Sequence, residues 1–309
     1  MWMQKKVIGK EQRRIKMRNS LQAKGLTITA IFQAESANYG ETIGNVASLK
    51  KVVRNNGEQY SYISRQAIRY NIVEQLGEPF AEVSTEGKGE KKVIQFDKDA
   101  TIRDYPEIDF FGYLKTEKGT GGKKRSAKVR LSNAISLETY KGDLDFLTNK
   151  GLADRLNENM NIVQSEIHKS YYCYTITIDL EQIGIDEIDE IELDKDEKSR
   201  RVCKLLDTIS MLYRDIRGRR EDLKPLFAIG GVYDIKNPFF HNSVDVKNNK
   251  LNIGSIEDIM FESIKEETYC GLVMGIFDND TAIKSKLNAV SMPKFFEEIK
   301  GKVSKYYVG

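Results

Sequence analysis

Residues 26–32 read LTITAIF and residues 61–76 read SYISRQAIRYNIVEQL, and together these two stretches decide the fold class. In the first, Leu26, Ile28, Ala30 and Phe32 fall on alternate positions among β-branched neighbours, the pattern of a strand with one buried face. In the second, Ile63, Ala67, Ile68, Ile72 and Leu76 recur at helical spacing. Ser61 or Ser64 can cap the start of this helix, and Gly77 with Pro79 ends it. Between the two, residues 33–50 run polar around Gly40 and Gly44 and read as an extended loop carrying Asn38, Tyr39 and Asn45.

Working outward, residues 171–180 (YYCYTITIDL) read as a second strong strand, with Tyr172, Tyr174, Ile176, Ile178 and Leu180 facing one way. A second helix is expected over 194–217, where Val202, Leu205, Leu206, Ile209, Leu212, Tyr213 and Ile216 form a stripe that Gly218 stops. Residues 226–233 (LFAIGGVY) and 268–277 read as strands, and 293–306 as a closing helix capped by Ser291. From 78 to about 167 the signals are short strands; 107–114 and 128–137 flank GTGGKKR at 119–125 and suggest a hairpin with a long basic tip. Residues 237–263 read as a mostly polar insertion. The order is that of an α+β chain with two helices on one face of an antiparallel sheet, a ferredoxin-like or RNA-recognition-motif-like core. Such a core needs only about 90 residues. The surplus of this 309-residue chain belongs in insertions after the first helix and after Tyr233.

Charge sharpens the functional reading. Lys and Arg number 49 against 46 Asp and Glu, a formal net charge of only +3. Yet the charges are segregated along the chain. Residues 1–24 hold eight basic and one acidic, 115–130 hold seven basic and one acidic, and 198–224 hold nine basic and four acidic. Against them, 181–197 hold nine acidic residues and only Lys195. Basic stretches suit a polyanion, and an acidic stretch can repel one or meet a basic neighbour. Residues 1–16 show no apolar period and read as a mobile basic arm or as an upstream start ahead of Met17.

Enzyme chemistry is the weaker class. Two histidines, His168 and His241, and three cysteines, Cys173, Cys203 and Cys270, stand far apart with no CxxC or HExxH spacing, which argues against a zinc site and a disulfide framework. No phosphate loop, dinucleotide fingerprint or nucleophile elbow is present. Asp278 and Asp280 resemble half a metal site, and also an ordinary turn. No metal or cofactor is expected, nor a membrane partner, since no apolar run approaches the roughly 20 residues that span a bilayer. The composition points to a cytoplasmic protein.

Polyanion binding is better supported. Arg65 and Arg69 stand at i and i+4, with Gln66 beside them and Ser64 near the helix start, where free N–H groups and the dipole suit a phosphate. Lys123, Lys124 and Arg125 would add charge at the hairpin tip, and Arg217, Arg219 and Arg220 cluster after the second helix, where arginine also suits the helix C-terminal dipole. All of these also fit ordinary surface positions. Tyr172 and Tyr174 could stack bases but read better as core, and the aromatic string of a base-reading RNA-recognition motif is lacking.

At these residues a resemblance appears. KGLTITAIFQAESANYGETIGNVASLKK and NGEQYSYISRQAIRYNIVEQLG, within residues 24–77, resemble the DevR-type CRISPR-associated autoregulators, backbone subunits of type I-B Cascade. The resemblance implies a modified RNA-recognition-motif palm over 17–309, with a finger insertion at about 78–167 and a thumb at about 237–263. It implies a non-catalytic role in antiviral defence: further copies of the chain would line a CRISPR guide RNA (crRNA) head to tail, with a target DNA strand and other Cascade subunits as partners. By position, Asn45, Ser64, Arg65, Gln66 and Arg69 would contact guide phosphates, joined by Arg217, Arg219 and Arg220. Lys123, Lys124 and Arg125 would face target DNA. Two alternatives stay open: a DNA-binding transcriptional autoregulator, and a metal-dependent nuclease using Glu35, Asp278 or Asp280.

Overall fold

The apolar alternation of the opening strand sets the centre of the molecule. The computed structural model describes residues 22–54, 57–87, 92–116 and 122–309. The arm expected over 1–16 lies outside the described residues. The first elements are β1 (Gly25–Ala34), β2 (Tyr39–Ile43), β3 (Val46–Leu49), β4 (Lys51–Val53), β5 (Gln59–Ile63) and helix α1 (Arg65–Gln75). A small subdomain follows, made of β6 (Val83–Glu86), β7 (Val93–Phe96), α2 (Pro106–Phe111), β8 (Tyr113–Lys115) and β9 (Lys123–Arg125). Strands β10 (Val129–Leu131) and β11 (Ala134–Ser136) return to the main sheet, and an arm of β12 (Asp143–Thr148), α3 (Lys150–Leu156) and β13 (Ile162–Ile167) leads to β14 (Ser170–Asp179). Next come β15 (Ile185–Asp186), β16 (Ile191–Glu192), α4 (Lys195–Ser210), the hairpin β17 (Tyr213–Ile216) with β18 (Arg219–Asp222), and β19 (Phe227–Tyr233). The chain closes with β20 (Val246–Lys247), β21 (Lys250–Leu251), α5 (Ile253–Glu257), α6 (Glu262–Lys265), β22 (Thr268–Leu272), α7 (Asp280–Lys286), β23 (Val290–Ser291) and α8 (Met292–Tyr307).

The main sheet runs β23-β22-β19-β1-β14-β11-β5-β4, with β10 also paired to β14. Strand β1 lies between β14 and β19, antiparallel to both. One face carries Leu26, Ile28, Ala30 and Phe32 of β1 with Tyr172, Tyr174, Ile176 and Ile178 of β14, and α1, α4 and α8 cover it with Ile68, Ile72, Leu205, Ile209, Phe295 and Ile299. Burying each such side chain contributes roughly 1.5–3 kcal/mol. The other face, with Ile31, Phe227 and Ile229, packs on Phe240, Val246, Leu251 and Ile256. Tyr172 and Tyr174 are core, not stacking surfaces. Gly230 in β19 is required by close approach: a Cβ there would stand 2.0 Å from the Thr27 carbonyl oxygen.

Four expectations change. The 33–50 segment is not one open loop, because β2 and β3 form a hairpin turned at Gly44 and Asn45. Residues 106–111 are helical, started by Pro106 with Glu107 and Asp109 in the first turn, so β8 pairs with β9 and not with the 128–137 stretch. The second helix ends at Ser210; Arg217 and Gly218, both at positive φ, turn β17 back onto β18. The 237–263 segment sends Phe240, Val244, Val246, Leu251, Ile253 and Ile256 into the second core and is an integral layer of the fold.

Candidate nucleic-acid interface

Ser64 is the cap of α1. Its Oγ accepts the Ala67 N–H at 3.3 Å, while its own N–H donates to Asn38 Oδ1 at 2.6 Å. Ser61 belongs to β5, buried, with its hydroxyl bonded to His168 Nδ1 and to the Tyr172 hydroxyl at 2.7 and 2.8 Å. The Arg65 N–H donates to Asn133 Oδ1 at 2.9 Å. Two N–H groups of the first turn are thus already satisfied by side chains, which corrects the expectation of a bare helix end. What α1 offers an anion is its dipole and the exposed side chains of Arg65 and Gln66. Arg69 is half-buried, its guanidinium 4.9 Å above the Phe111 ring.

The β17–β18 hairpin meets this helix start through the segment 35–39. Arg217 donates to Ser165 Oγ at 2.7 Å and lies 4.0 Å over the Tyr39 ring. Arg219 pairs with Glu35 at 3.0 Å and donates to Ser36 Oγ at 2.7 Å. Glu221 accepts the N–H groups of Glu35 and Ser36 at 3.1 and 2.9 Å, and is itself held by buried Arg214 at 2.6 Å. Arg220 is turned the other way, bidentate on Asp215 at 2.8 Å from each nitrogen. Ser64, Arg217 and Arg219 thus all contact the 35–39 segment, and Arg65 and Gln66 stand exposed next to Ser64 in the first turn of α1. Asn45 stands exposed at the β2–β3 turn. Asn133, the second anchor, carried no sequence signal; it is one polar residue between two short strands.

The third basic group falls elsewhere. In β9, alternate residues face opposite ways, so Lys123 and Arg125 both turn toward the acidic segment and Lys124 is exposed. Lys123 pairs with Asp189 at 2.6 Å. Arg125 is buried, with its guanidinium on Asp109 at 2.8 Å and on the Ile185 carbonyl at 3.0 Å, so it cannot face a target strand. Asp109 also takes Arg201 at 3.2 Å and the Gly184 N–H at 2.9 Å. The acidic stretch 181–197 is largely consumed within the fold: Asp186 accepts from the Tyr113 hydroxyl at 3.0 Å, Glu192 pairs with Lys198 at 3.1 Å, and Asp194 caps α4. Glu197 pairs with Arg200 and Arg201, both at 2.6 Å, and its bond to Arg200 leads in pulling its carboxyl down to about 2.

The carboxylates of the nuclease alternative do not converge. Asp278 accepts from Asn249 Nδ2 at 2.7 Å, Asp280 holds the N–H groups of Gly275 and Phe277, and Glu35 faces Arg219. Among the described residues no group of three or more His, Cys, Asp or Glu side chains could hold a metal ion, and no helix is long and apolar enough to cross a membrane.

A family model described as the CRISPR-associated negative auto-regulator DevR/Csa2 matches residues 26–252, well over half of the chain. The chain belongs to this family. The match spans α1, the 35–39 segment and the β17–β18 hairpin of this DevR/Csa2 member. No curated protein matches it in sequence. Among solved structures it is similar to a chain of a "CRISPR RNA-guided surveillance complex, pre-nicking", with a TM-score of 0.58 at 10% identity over 92% of this chain and 100% of that one. It is also similar to a chain of a "CRISPR RNA-guided surveillance complex", with a TM-score of 0.54 at 14% identity over 90% and 98%. At such identities the likeness is one of fold.

Proposed function

We propose that the chain is a non-catalytic guide-RNA-binding backbone subunit of a type I, subtype I-B, CRISPR interference complex, working in the cytoplasm with further copies of itself, other Cascade subunits and a target DNA strand. The observation that carries this reading is that Ser64, Arg217 and Arg219 meet on the 35–39 segment beside the exposed Arg65 and Gln66 of α1, in a family member whose fold is similar to that of surveillance-complex chains. The contacts on offer are guanidinium, amide and hydroxyl groups at a helix start, which suit phosphates and leave bases free to pair. The strand order β19-β1-β14-β11, with α1 and α4 on one face, supports an RNA-recognition-motif-like palm. The subdomain from β6 to β9 suits the finger. For the thumb we choose the β12–α3–β13 arm in place of 237–263, because every residue of β12 is exposed while 237–263 is built into the core.

The test is RNA binding as a function of salt. Replacing Arg65 and Arg69 by Ala should weaken binding to single-stranded RNA about tenfold, and each lost phosphate contact should flatten the log–log salt slope by about 0.7. Unchanged affinity and slope at low salt would sink the proposal. The family's description as an auto-regulator favours a second reading, a DNA-binding repressor. Footprinting on a promoter duplex, against binding to single-stranded RNA, separates the two.

A further inference from the structure

A cleft of about 1280 Å³ opens between the β4–β5 edge of the main sheet and the 241–248 segment that packs on its second face. Its floor is apolar, with Ile135, Leu137 and Cys173. One wall carries a planar pair, the Arg54 guanidinium 4.9 Å over the Tyr60 ring, whose hydroxyl is fixed by Glu58 at 3.1 Å. The other wall carries His241, Asn242 and Asn248. His241 is oriented by a bond between its Nδ1 and the Thr175 hydroxyl at 3.1 Å, and Thr175 is in turn bonded to Thr29 at 2.8 Å. Desolvation, with the charge of Arg54 nearby, holds its imidazole below the usual range and so favours the neutral form.

Charge decides what such a cleft can hold. Four cationic side chains (Arg54, Lys141, Lys169, Lys247) are matched by four carboxylates (Glu58, Glu138, Asp143, Asp245), so the lining gives no net attraction to a phosphate chain. It does offer stacking planes, neutral hydrogen-bonding groups and an apolar floor, which are what an unstacked base needs. The cleft also shares a rim with the α1 start, because Asn133 lines it and receives the Arg65 N–H. We propose that this cleft is a nucleobase site: a strand held by its phosphates at α1 lays an unstacked base between the Arg54–Tyr60 pair and His241. The inference rests on the nucleic-acid reading above, and deepens it by adding base contacts to backbone ones.

The test compares a single-stranded oligoribonucleotide with an abasic oligomer of the same length, for wild type, Arg54→Ala/His241→Ala, Arg54→Lys and Arg65→Ala/Arg69→Ala. Wild type should favour the base-bearing strand about tenfold, the scale of one stacked base. The Arg54/His241 variant should lose that preference while binding the abasic strand as before, which shows that it is folded. Arg54→Lys keeps the charge without the plane and should lose most of the preference with the salt slope unchanged. Light-induced crosslinking of a 5-bromouridine strand should map to Tyr60 or His241. If wild type shows no preference, or the preference survives in Arg54→Ala/His241→Ala, the base site is overturned, and a protein segment becomes the better occupant of the cleft. If free 5-bromouridine monophosphate labels the same residues as strongly as the strand does, the assignment to a strand falls. Failure of wild type to bind either oligomer overturns the nucleic-acid reading itself.

Discussion

At Arg219 a carboxylate already occupies the place a phosphate would take. The Glu35 pair is about one-third exposed on both sides, so under the proposed function it would compete with an RNA phosphate for Arg219. Such a pair contributes about 0.5–1 kcal/mol. Glu35→Gln should therefore tighten single-stranded RNA binding by roughly two- to fivefold in a titration at low salt, and a weaker complex would exclude Arg219 from the contact. Arg125 shows the opposite use of arginine. Its removal leaves Asp109 in the interior with one cation, Arg201, and the Gly184 N–H, so Arg125→Ala should cost about 3–5 kcal/mol in a denaturant melt, while Lys124→Ala should cost almost nothing. In sequence, Lys123, Lys124 and Arg125 look alike. Helical spacing alone exposed Arg65 and Gln66, but nothing local distinguishes an arginine whose partner lies on a segment 16 residues earlier.

The elements were legible where a stripe or an alternation was long. Strands β1, β14 and β19 and helix α8 stand where periodicity put them, and α1 does so only from Arg65 on, because Ser61 and Ile63 of the expected helix belong to β5. Leu212, Tyr213 and Ile216 continue the spacing of the second helix by coincidence beyond its end at Ser210; the chain turns at Arg217–Gly218, and Leu212 is buried beside a hairpin, not within a helix. Helix α4 also carries a pH dependence. Glu197 is held down by Arg200 and Arg201, so its contribution to stability is complete above the ordinary carboxylate pKa of about 4 and is lost as pH falls through about 2. The stability gap between wild type and Glu197→Gln, followed by thermal melts, should hold at neutral pH and close across that window. In β19, Gly230→Ala should cost about 3 kcal/mol or more and lower the melting temperature accordingly, since the added methyl meets the Thr27 carbonyl in the middle of the sheet.

At the scale of the molecule, the arm is the least satisfied part. Leu144, Phe146 and Leu147 on β12 and Leu152 and Leu156 on α3 are all exposed, an apolar surface that no other described residue covers. If the arm reaches a neighbouring copy, Leu144→Ser/Phe146→Ser/Leu147→Ser should leave binding to a short RNA intact and abolish multiple loading on a long one, read by native mass spectrometry. Equal loading would remove the arm from assembly. The balance of 49 basic and 46 acidic residues has its explanation at this scale too, because much of the acidic stretch 181–197 is spent on Lys123, Lys198, Arg200 and Arg201 inside the fold. The sequence by itself determined the α+β class, the central strands, the presence of the face-covering helices α1, α4 and α8 and the Ser64–Arg69 segment, since these depend on periodicities of two and 3.6 residues that any window reveals. Only the tertiary structure decided which charges remain available, that 237–263 is core while the arm projects, and that Asn38, Asn133 and the β17–β18 hairpin converge on α1. Those outcomes are set by partners far apart in the chain, and burial and ion pairing are properties of the assembled fold.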